Sequence, residues 1–298
     1  MKKLFIPLIS CLISFSGLAG AGQEIAVVQS IRVGPYEQAF EGVKSVCSAQ
    51  IQRLVISETN KSDVISDVIK ISPDVIVAIG IESVKTIKKI NNIPIVYLMV
   101  LDGAAVSSSG ENIVGVSMNI APDRQLNEIL KILPGIKTVG LLYDPEMSGQ
   151  YANKVSDACL KKDIGLIAKQ VHDSRDVPLA LISMKDKVDV FWMIPDLTVV
   201  TPETVEILLL FSLENEIPLV TFSEKYAELG ALMSIGIDAF DIGVQAGEMA
   251  QEILAGKDVK GIGHIEARNA VVSINVKVVK KLGITIPEDI ISGAKKIE

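Results

Sequence analysis

Short apolar runs alternate with amphipathic segments along almost the whole chain. Runs such as EIAVVQ and IPIVYLMV show no clean alternation of apolar and polar positions, which is typical of strands buried on both faces of a parallel sheet. Between EIAVVQ and the next apolar run, IQRLVIS, the residues Tyr36, Phe40 and Val43 recur at the spacing of one helical face. The pattern therefore predicts an α/β architecture.

The alternation runs through two successive blocks that meet near residues 118–136. A helix from Pro122 to Leu133 is predicted at this junction, and the second block then begins with the strand KTVGLLYD and a helix from Ser148 to Lys162. Because the strands are too many for one comfortable sheet, we expect two similar lobes, each with its own parallel sheet.

The last part of the chain departs from this alternation. GALMSIGID predicts a short strand, and Asp238 follows it as the cap of a helix that ends near Gly256. Gly243 and Gly247 lie four residues apart in that helix. We expect these glycines to let the helix pack closely against a neighbour.

The first 21 residues have the pattern of a secretory signal peptide. Two lysines precede an apolar run over residues 4–18, and the small residues Ala19-Gly20-Ala21 follow. We expect cleavage after Ala21 and a periplasmic or extracytoplasmic protein. Lipid anchoring at Cys11 is the disfavoured alternative, because the apolar run continues past that residue.

Charge and motifs argue against several classes of function. The signal peptide contains Lys2 and Lys3, which leaves 27 of the 29 basic residues against 36 acidic ones. No stripe of basic residues is present, so nucleic acid is not an expected partner. The sequence has no P-loop and no G-x-S-x-G elbow, and His172 and His264 lack a recognisable catalytic or metal-binding partner. We expect no enzyme activity, no metal and no cofactor.

Polar side chains follow several predicted strands at their carboxyl ends, where open α/β sheets bind ligands. The candidate ligand-binding residues are Gln29, Ser30, Gly80, Ile81, Glu82, Ser83, Asp102, Asp144, Asp196, Thr198, Ser223 and Glu224. The backbone between Gly80 and Ser83 opens a helix and could bind an anion such as a carboxylate, although a tight turn is an equal alternative. The carboxylates favour a ligand with a cationic group. The alternative for each is a turn or a solvated loop.

The chain also resembles a known family, the ABC-transporter substrate-binding proteins that include the tryptophan/tyrosine-type binding proteins. The resemblance lies in the stretches PDVIVAIGIESV, IPIVYLMVLD, NIVGVSMNIAPDRQLNEILKILPGIKTVGLLYDP and IPDLTVVTPETVEILLLFSLENEIPLVTFSEKYAELGALMSIGIDAFDIGVQAGEMAQEILAGK. It implies a type I periplasmic binding protein fold, in which two doubly wound parallel-sheet lobes are joined by a three-strand hinge and close on a ligand. The crossovers would lie near IVGVS, near GALMS and after Gly261.

The same resemblance implies domain boundaries and a function. The first lobe would comprise residues 22–118 and about 236–260, and the second lobe residues 119–235 and about 261–298. The implied protein is a monomeric receptor that captures a small molecule, preferably an amino acid or amine-bearing metabolite, and delivers it to an ABC permease. A sensor that signals to a membrane kinase and, less favoured, an enzyme on a doubly wound fold are the alternatives.

Two departures from the family pattern bear on the ligand. Leu197 stands where amino-acid-binding members often have asparagine, so one amide that could bind a ligand is missing. Ile81-Glu82 replace a common Thr-Pro, which adds a negative charge near the predicted carboxylate site. An aromatic amino acid is therefore one ligand among several that the sequence allows.

Overall fold

The apolar runs form two separate β-sheets in the computed structural model, which describes residues 22–59, 61–101, 106 and 111–298. In this part of the chain the first sheet contains β1 (Glu24–Gln29), β2 (Gln50–Val55), β3 (Val75–Ile79), β4 (Ile95–Val100), β5 (Ile113–Ser117) and β11 (His264–Glu266). The second sheet contains β6 (Thr138–Tyr143), β7 (Gly165–Gln170), β8 (Val190–Trp192), β9 (Leu219–Thr221), β10 (Met233–Ile237), β12 (Ala270–Asn275) and β13 (Lys295–Ile297).

Both sheets have a doubly wound strand order. The first sheet runs β11-β5-β4-β3-β1-β2, with every neighbouring pair parallel. The second runs β13-β12-β10-β9-β8-β6-β7, and its one antiparallel pair is β10 with β12. In each sheet the first strand along the chain lies between the second and the third, so the chain winds outward in both directions. This confirms the predicted fold class.

The connecting segments are mostly α-helical. The described helices are α1 (Gly34–Val46), α2 (Lys61–Ile71), α3 (Ile81–Ile87), α4 (Pro122–Ile132), α5 (Pro145–Lys161), α6 (Val177–Met184), α7 (Pro202–Glu214), α8 (Glu224–Glu228), α9 (Ala239–Leu254), α10 (Val276–Lys281) and α11 (Glu288–Gly293). Within the described ranges, no helix combines the length and the apolar character that a bilayer span requires.

Helix α5 begins three residues earlier than the sequence predicts. The Asp144 side chain accepts a hydrogen bond from the backbone N–H of Glu146 at 2.9 Å, which caps the helix. Pro145 occupies the first turn, where its missing N–H costs nothing. Ser148 has a non-helical φ of −131°, so the first turn is kinked relative to the regular helix that the sequence predicts from Ser148 onward.

The central strands of the first sheet lack a polar face because helices cover both sides. Every residue of β3 and β4 is buried. Val77 packs in the same apolar cluster as Val43 of α1, whereas its neighbour Ile76 packs in the cluster that includes Val64 of α2. Successive side chains of a strand point to opposite faces, so both faces carry apolar residues.

Helices α1 and α9 pack with their backbones in close contact. A Cβ atom added at Gly243 would lie 2.0 Å from the carbonyl oxygen of Ala39, and one at Gly42 would lie 2.0 Å from the carbonyl oxygen of Phe240. Asp238 caps α9 by accepting from the backbone N–H of Asp241 at 3.0 Å. The predicted cap and the predicted close packing of this helix are both confirmed.

The chain passes between the two sheets three times. Residues 118–121 lead from β5 to α4, Asp238 lies between β10 and α9, and residues 267–269 join β11 to β12. The backbone N–H of Ala267 donates to the carbonyl of Asn119 at 2.9 Å, so the first and third crossovers are tied together. These segments form the predicted three-strand hinge.

Strand pairing moves two of the predicted lobe boundaries. β10 pairs with β9 and β12, so the second sheet includes the chain up to Ile237 rather than to residue 235. β11 pairs with β5, so the chain returns to the second lobe after Glu266 rather than at residue 261. The sequence could not show this, because a three-residue strand whose side chains are exposed or half-buried has no apolar period.

Candidate ligand-binding site

The crossovers place the carboxyl edges of both sheets on the same side of the hinge. β5 and β11 leave the first sheet at their carboxyl ends, and β10 leaves the second sheet at its carboxyl end. The strand-end residues of each sheet therefore border the side where ligands bind in such sheets, and we refer to them as the two walls of the candidate cleft. The first wall holds the candidates from Gln29 to Ser83, and the second holds those from Asp144 to Glu224.

In the first wall, Ser30 caps the helix that follows β3. The N-cap residue of α3 is Gly80, whose φ of +90° favours glycine and which has no side chain to cap the helix. The Ser30 hydroxyl oxygen accepts from the backbone N–H of Ser83 at 3.0 Å instead. The Ser83 hydroxyl lies 2.6 Å from the carbonyl oxygen of Gly80, to which it donates. Both serines are buried. Their hydrogen bonds favour a tight turn over an anion-binding site for this segment.

The two residues between Gly80 and Ser83 point outward. Ile81 is 38% exposed, so it presents an apolar surface at the strand end. Glu82 is half-buried and forms an ion pair with Lys85 at 2.9 Å. Its charge is therefore partly neutralised within the helix and does not depend on a ligand.

Gln29 is fully buried and holds the loop after β1. Its Nε2 donates to the carbonyl of Ile31 at 2.6 Å and to the carboxylate of Glu37 at 3.0 Å. Its Oε1 accepts from Arg53 at 2.5 Å. The Arg53 guanidinium, followed by the Gln29 amide, lowers the pKa of Glu37 below its usual value. Gln29 thus positions its neighbours, and its side-chain amide has little hydrogen-bonding capacity left for a ligand.

In the second wall, the Asp196 carboxylate is saturated by donors from the protein. One oxygen accepts from the backbone N–H groups of Thr198 and Val199 at 2.9 and 3.0 Å. The other accepts from the backbone N–H of Asp144 at 2.7 Å and from the Ser148 hydroxyl. A carboxylate offers about four lone-pair sites, and all are used here. The geometry makes Asp196 the residue that builds the turn.

Asp144 is also buried but keeps free acceptor capacity. One oxygen accepts from the N–H of Glu146 at 2.9 Å, and the other accepts from the Thr198 hydroxyl at 2.7 Å. These two donors, Thr198 first, hold the pKa of Asp144 below its usual value. The carboxylate is therefore ionised at neutral pH, and about two of its lone pairs accept no hydrogen bond from a described residue. Thr198 orients it.

The remaining candidates lie at the far end of the second wall. Glu224 forms an ion pair with Lys295 at 2.6 Å, so its charge is already compensated within the protein. Ser223 is the N-cap residue of α8, and its hydroxyl makes no hydrogen bond to any other residue that the structure describes. Asp102 lies outside the described residues. Ser223 is thus the candidate on this strand end that keeps a free polar group.

No group of three or more His, Cys, Asp or Glu side chains within the described ranges is arranged to hold an ion. His264 stacks on Tyr97 with ring centroids 5.6 Å apart, and burial lowers the pKa of this histidine. The side chains of the cleft are suited to hydrogen bonds and apolar contacts with an organic ligand.

The family of this chain is shown by its similarity to known protein families. A family model described as ABC transporter substrate binding protein matches residues 39–298. The chain belongs to this family. Its members bind small molecules outside the cytoplasm and interact with membrane permeases.

Two curated proteins are similar in sequence to parts of this chain. A tyrosine-binding protein of Clostridioides difficile (strain R20291) is 28% identical over 199 residues, which cover 64% of this chain and 57% of that protein. An uncharacterized protein of Rickettsia prowazekii is 26% identical, over 73% of this chain and 69% of its own length. The chain thus spans little more than half of the first of these relatives.

Two solved structures show the same fold. A ligand-free, open substrate-binding protein with adhesive properties from Clostridium difficile has a TM-score of 0.74 and 20% identity, covering 93% of this chain and 99% of that one. An ABC domain from Streptococcus pneumonia in complex with L-Trp has a TM-score of 0.60 and 21% identity, covering 93% of this chain and 100% of that one.

The sequence predicted Tyr36 only as part of one face of a helix, and this residue was not among the candidate ligand-binding residues. Its ring and hydroxyl lie against Gly80, where an added Cβ would be 2.8 Å from the hydroxyl oxygen. Tyr36 is half-buried and its hydroxyl has no hydrogen-bond partner among the described residues, while burial raises its pKa. Its position in the first turn of the helix after β1 was the available indication, because that turn borders the strand end.

Exposed apolar side chains are a second feature of the cleft, and of these only Ile81 was among the predicted candidates. Five of them follow strands of the two sheets at the carboxyl edges: Ile31, Ile81, Leu101, Met147 and Leu197. Leu197 is 76% exposed although the turn that carries it is fixed by Asp196. Their positions just after the strand ends could have identified them. They give both walls an apolar surface that a ligand can cover.

Proposed function

We propose that this chain is the extracytoplasmic receptor of an ABC transporter, which captures a small molecule between its lobes and delivers it to a permease. Its membership of the substrate-binding family supports this function. Support also comes from the two walls of strand-end residues beside a three-segment hinge. The receptor works as a monomer and without catalysis, because capture and release need only a change in the distance between the walls.

The proposed ligand is an amino acid or a related amine-bearing metabolite with an apolar body. The observation that carries this choice is Asp144, a buried and ionised carboxylate with unfilled lone pairs at the cleft. The hydroxyls of Tyr36 and Ser223 add polar contacts, and the aliphatic side chains at the strand ends suit an apolar body. The names of the tyrosine-binding relative and the L-Trp complex favour the same class.

Export belongs to the proposal as well. The signal peptide over residues 1–21 and the disfavoured lipid site at Cys11 lie outside the described residues, so cleavage after Ala21 stays a prediction. N-terminal sequencing of the exported protein should begin at Gly22. An intact Met1 or a lipid on Cys11 would contradict it.

Calorimetry on the full exported chain tests the ligand class. The titrants are L-tyrosine and L-tryptophan, together with a decarboxylated and a deaminated analogue of each. If Asp144 binds the amine, the amino acids and decarboxylated analogues bind and the deaminated analogues bind at least about tenfold more weakly, because they lack a charge-assisted hydrogen bond. Native mass spectrometry of freshly purified protein extends the search to co-purified molecules.

The outcomes separate the parts of the proposal. Equal affinity for the amine-bearing and deaminated compounds would exclude Asp144 as the amine contact. An absence of binding to the whole panel, with no co-purified small molecule, would contradict the receptor function. Loss of cellular uptake of the bound compound on deletion of the gene is the expected result for delivery to a permease.

A further inference from the structure

A groove outside the cleft is lined mainly by basic and amide side chains. It lies between helix α4, the end of helix α5 and the third crossover, with a volume of about 840 Å³. The side chains that could bind a ligand there are Arg124, Asn127, Lys131, Lys162, Arg268 and Asn269. None of the strand-end residues of the cleft lines this groove, so it is a separate feature of the molecule.

The spacing along α4 brings three of these side chains to one face. Arg124, Asn127 and Lys131 follow one another at intervals of three and four residues, which places them on the same side of a helix. Lys162 stands at the carboxyl end of the adjacent α5, and Asn269 lies in the crossover. Groups from three distant parts of the chain therefore converge on the groove.

The ion pairs show which charges remain available. Lys131 is paired with Glu128 at 2.7 Å, the acidic residue of the lining, and Arg268 is held by Asp241 at 2.7 Å and by Glu248 at 2.9 Å. By contrast, Arg124 and Lys162 have no carboxylate partner among the described residues. Two uncompensated cations thus share one groove in a chain whose formal net charge is −7.

The remaining polar groups are donors that suit an anion. The Arg124 guanidinium donates to the carbonyl of Arg268, which fixes its orientation beside the crossover. The side-chain amides of Asn127 and Asn269 make no hydrogen bonds to other described residues. A guanidinium, an ammonium and two amides together offer many N–H donors, the set that phosphate oxygens accept from.

We propose that this groove binds a phosphate group, with Arg124 and Lys162 as its principal contacts. A phosphate group carries one or two negative charges and presents its oxygens in a tetrahedral arrangement, so it can accept from the guanidinium, the ammonium and the amides at once, whereas a carboxylate presents only two oxygens in one plane. The phosphate is either free inorganic phosphate or part of an anionic lipid head group. No candidate residue of the cleft takes part in this site.

Inorganic phosphate is the first probe, titrated into the full chain at low ionic strength, where screening is weakest. It should bind saturably, raise the Tm and shift the backbone amide signals of Asn127 and Asn269 in two-dimensional NMR spectra. Sodium chloride at matched ionic strength is the salt control. The second probe is a vesicle of phosphatidylglycerol, compared with a vesicle of phosphatidylcholine.

The test variant is Arg124→Gln/Lys162→Gln, and its matched control is Lys169→Gln/Lys185→Gln. The control removes the same charge at exposed lysines that have no ion pair within the described ranges. The test variant should bind phosphate at least about tenfold more weakly, since two charge-assisted contacts are lost, and the control should bind normally. Lys162→Gln alone tests the site if the change at Arg124 disturbs the crossover.

Each outcome decides between the possibilities. Saturable binding of inorganic phosphate that the test variant loses supports a site for free phosphate. Binding to phosphatidylglycerol vesicles alone, lost in the same variant, supports a lipid head group. If neither probe binds, or if the control weakens binding as much as the test variant, the groove carries only a diffuse positive field and the proposal is overturned.

Discussion

Asp144 and Asp196 follow the neighbouring strands β6 and β8, yet the donors around their carboxylates differ in number. Four donors from the protein fill the lone pairs of Asp196, and two leave Asp144 with spare capacity. In the sequence the two residues have the same type and the same place at a strand end. Their contacts give them different roles, and substitution by asparagine distinguishes these roles.

Asp196→Asn should lower the stability of the folded protein. An asparagine can keep its oxygen toward the N–H groups of Thr198 and Val199, but its amide nitrogen then faces the N–H of Asp144, which is a second donor. Leaving that buried group unpaired, together with the loss of charge-assisted bonds, should lower the free energy of unfolding by about 2–4 kcal/mol. Urea denaturation of both proteins measures the difference. A stability within about 0.5 kcal/mol of the wild type would show that these hydrogen bonds are dispensable.

Asp144→Asn should instead weaken ligand binding. Asparagine is as good an N-cap as aspartate, so the start of α5 and the stability should change by less than about 1 kcal/mol. The loss of the negative charge should reduce affinity for an amine-bearing ligand by about 10- to 150-fold. Calorimetry on Asp144→Asn with the best-binding amino acid measures this, and circular dichroism confirms that the variant is folded.

The pKa of Asp144 sets the expected pH dependence of that binding. Because its folded-state pKa lies below the usual value, the ionised form is complete at neutral pH and is lost only as the pH falls through the lowered pKa. Affinity for an amine-bearing ligand should therefore be constant near neutrality. A decline of affinity between pH 7 and pH 5 that Asp144→Asn abolishes would contradict this assignment.

The sequence predicted these candidate residues but could not rank them. Strand ends are readable from apolar runs, so their residues were predicted at the cleft. The ranking depends on hydrogen bonds such as Asp144 with Thr198 and Asp196 with Ser148, which join residues 54 and 48 positions apart. Such pairings follow from the tertiary structure and leave no pattern in the sequence. For the same reason Tyr36 was predicted only as part of one face of a helix.

At the scale of elements, the contact between α1 and α9 depends on residues without side chains. Gly42 and Gly243 allow the two backbones to approach so closely that a Cβ at either position would overlap a carbonyl oxygen of the other helix. This contact fixes α9, the helix that follows the second crossover, to the first sheet. The packing of α9 therefore determines where one hinge segment is anchored.

Gly243→Ala should destabilise the protein by about 1–3 kcal/mol, the usual cost of overpacking, because the helices must separate to admit the methyl group. Gly149→Ala in α5 is the matched control, since its Cβ would meet nothing closer than Pro145 at 3.9 Å. The control should be neutral or stabilising by about 0.5–1 kcal/mol, as alanine is the better helix former. Thermal unfolding of both variants gives the comparison, and equal effects would refute the close-packing argument.

Helices and strands with a strong hydrophobic periodicity or a capping residue could be predicted from the sequence. Short polar strands could not. Helix α9 has Asp238 as its cap and small residues on its packed face, so both its start and its role followed from the sequence. The strand β11 has three residues and no buried side chain, and only its pairing with β5 reveals that it belongs to the first sheet. The lobe boundary near residue 261 was placed too early for this reason.

At the scale of the whole molecule, the hinge is short and internally connected. Its segments are residues 118–121, Asp238 and residues 267–269, and the bond between Ala267 and Asn119 couples two of them. Arg268 is also bound to Asp241 at the start of α9. Relative motion of the lobes is thus confined to a few backbone angles, which favours rotation of rigid lobes over local unfolding.

Ligand binding should therefore reduce the radius of gyration. A ligand shifts the equilibrium toward closure only if it binds the closed state more tightly, and here it would do so by touching Asp144 on one wall and Tyr36 on the other. A compact protein of about 280 residues has an expected radius near 19 Å, and the liganded protein should move toward this value in small-angle scattering.

The amino acid that binds best is added at saturation, and its weakly binding deaminated analogue at equal concentration is the control. Compaction with the analogue as well would indicate a nonspecific effect of the solute. An unchanged radius with saturating ligand would mean a rigid pocket, so that binding would rest on one wall and the hinge would play no part in capture.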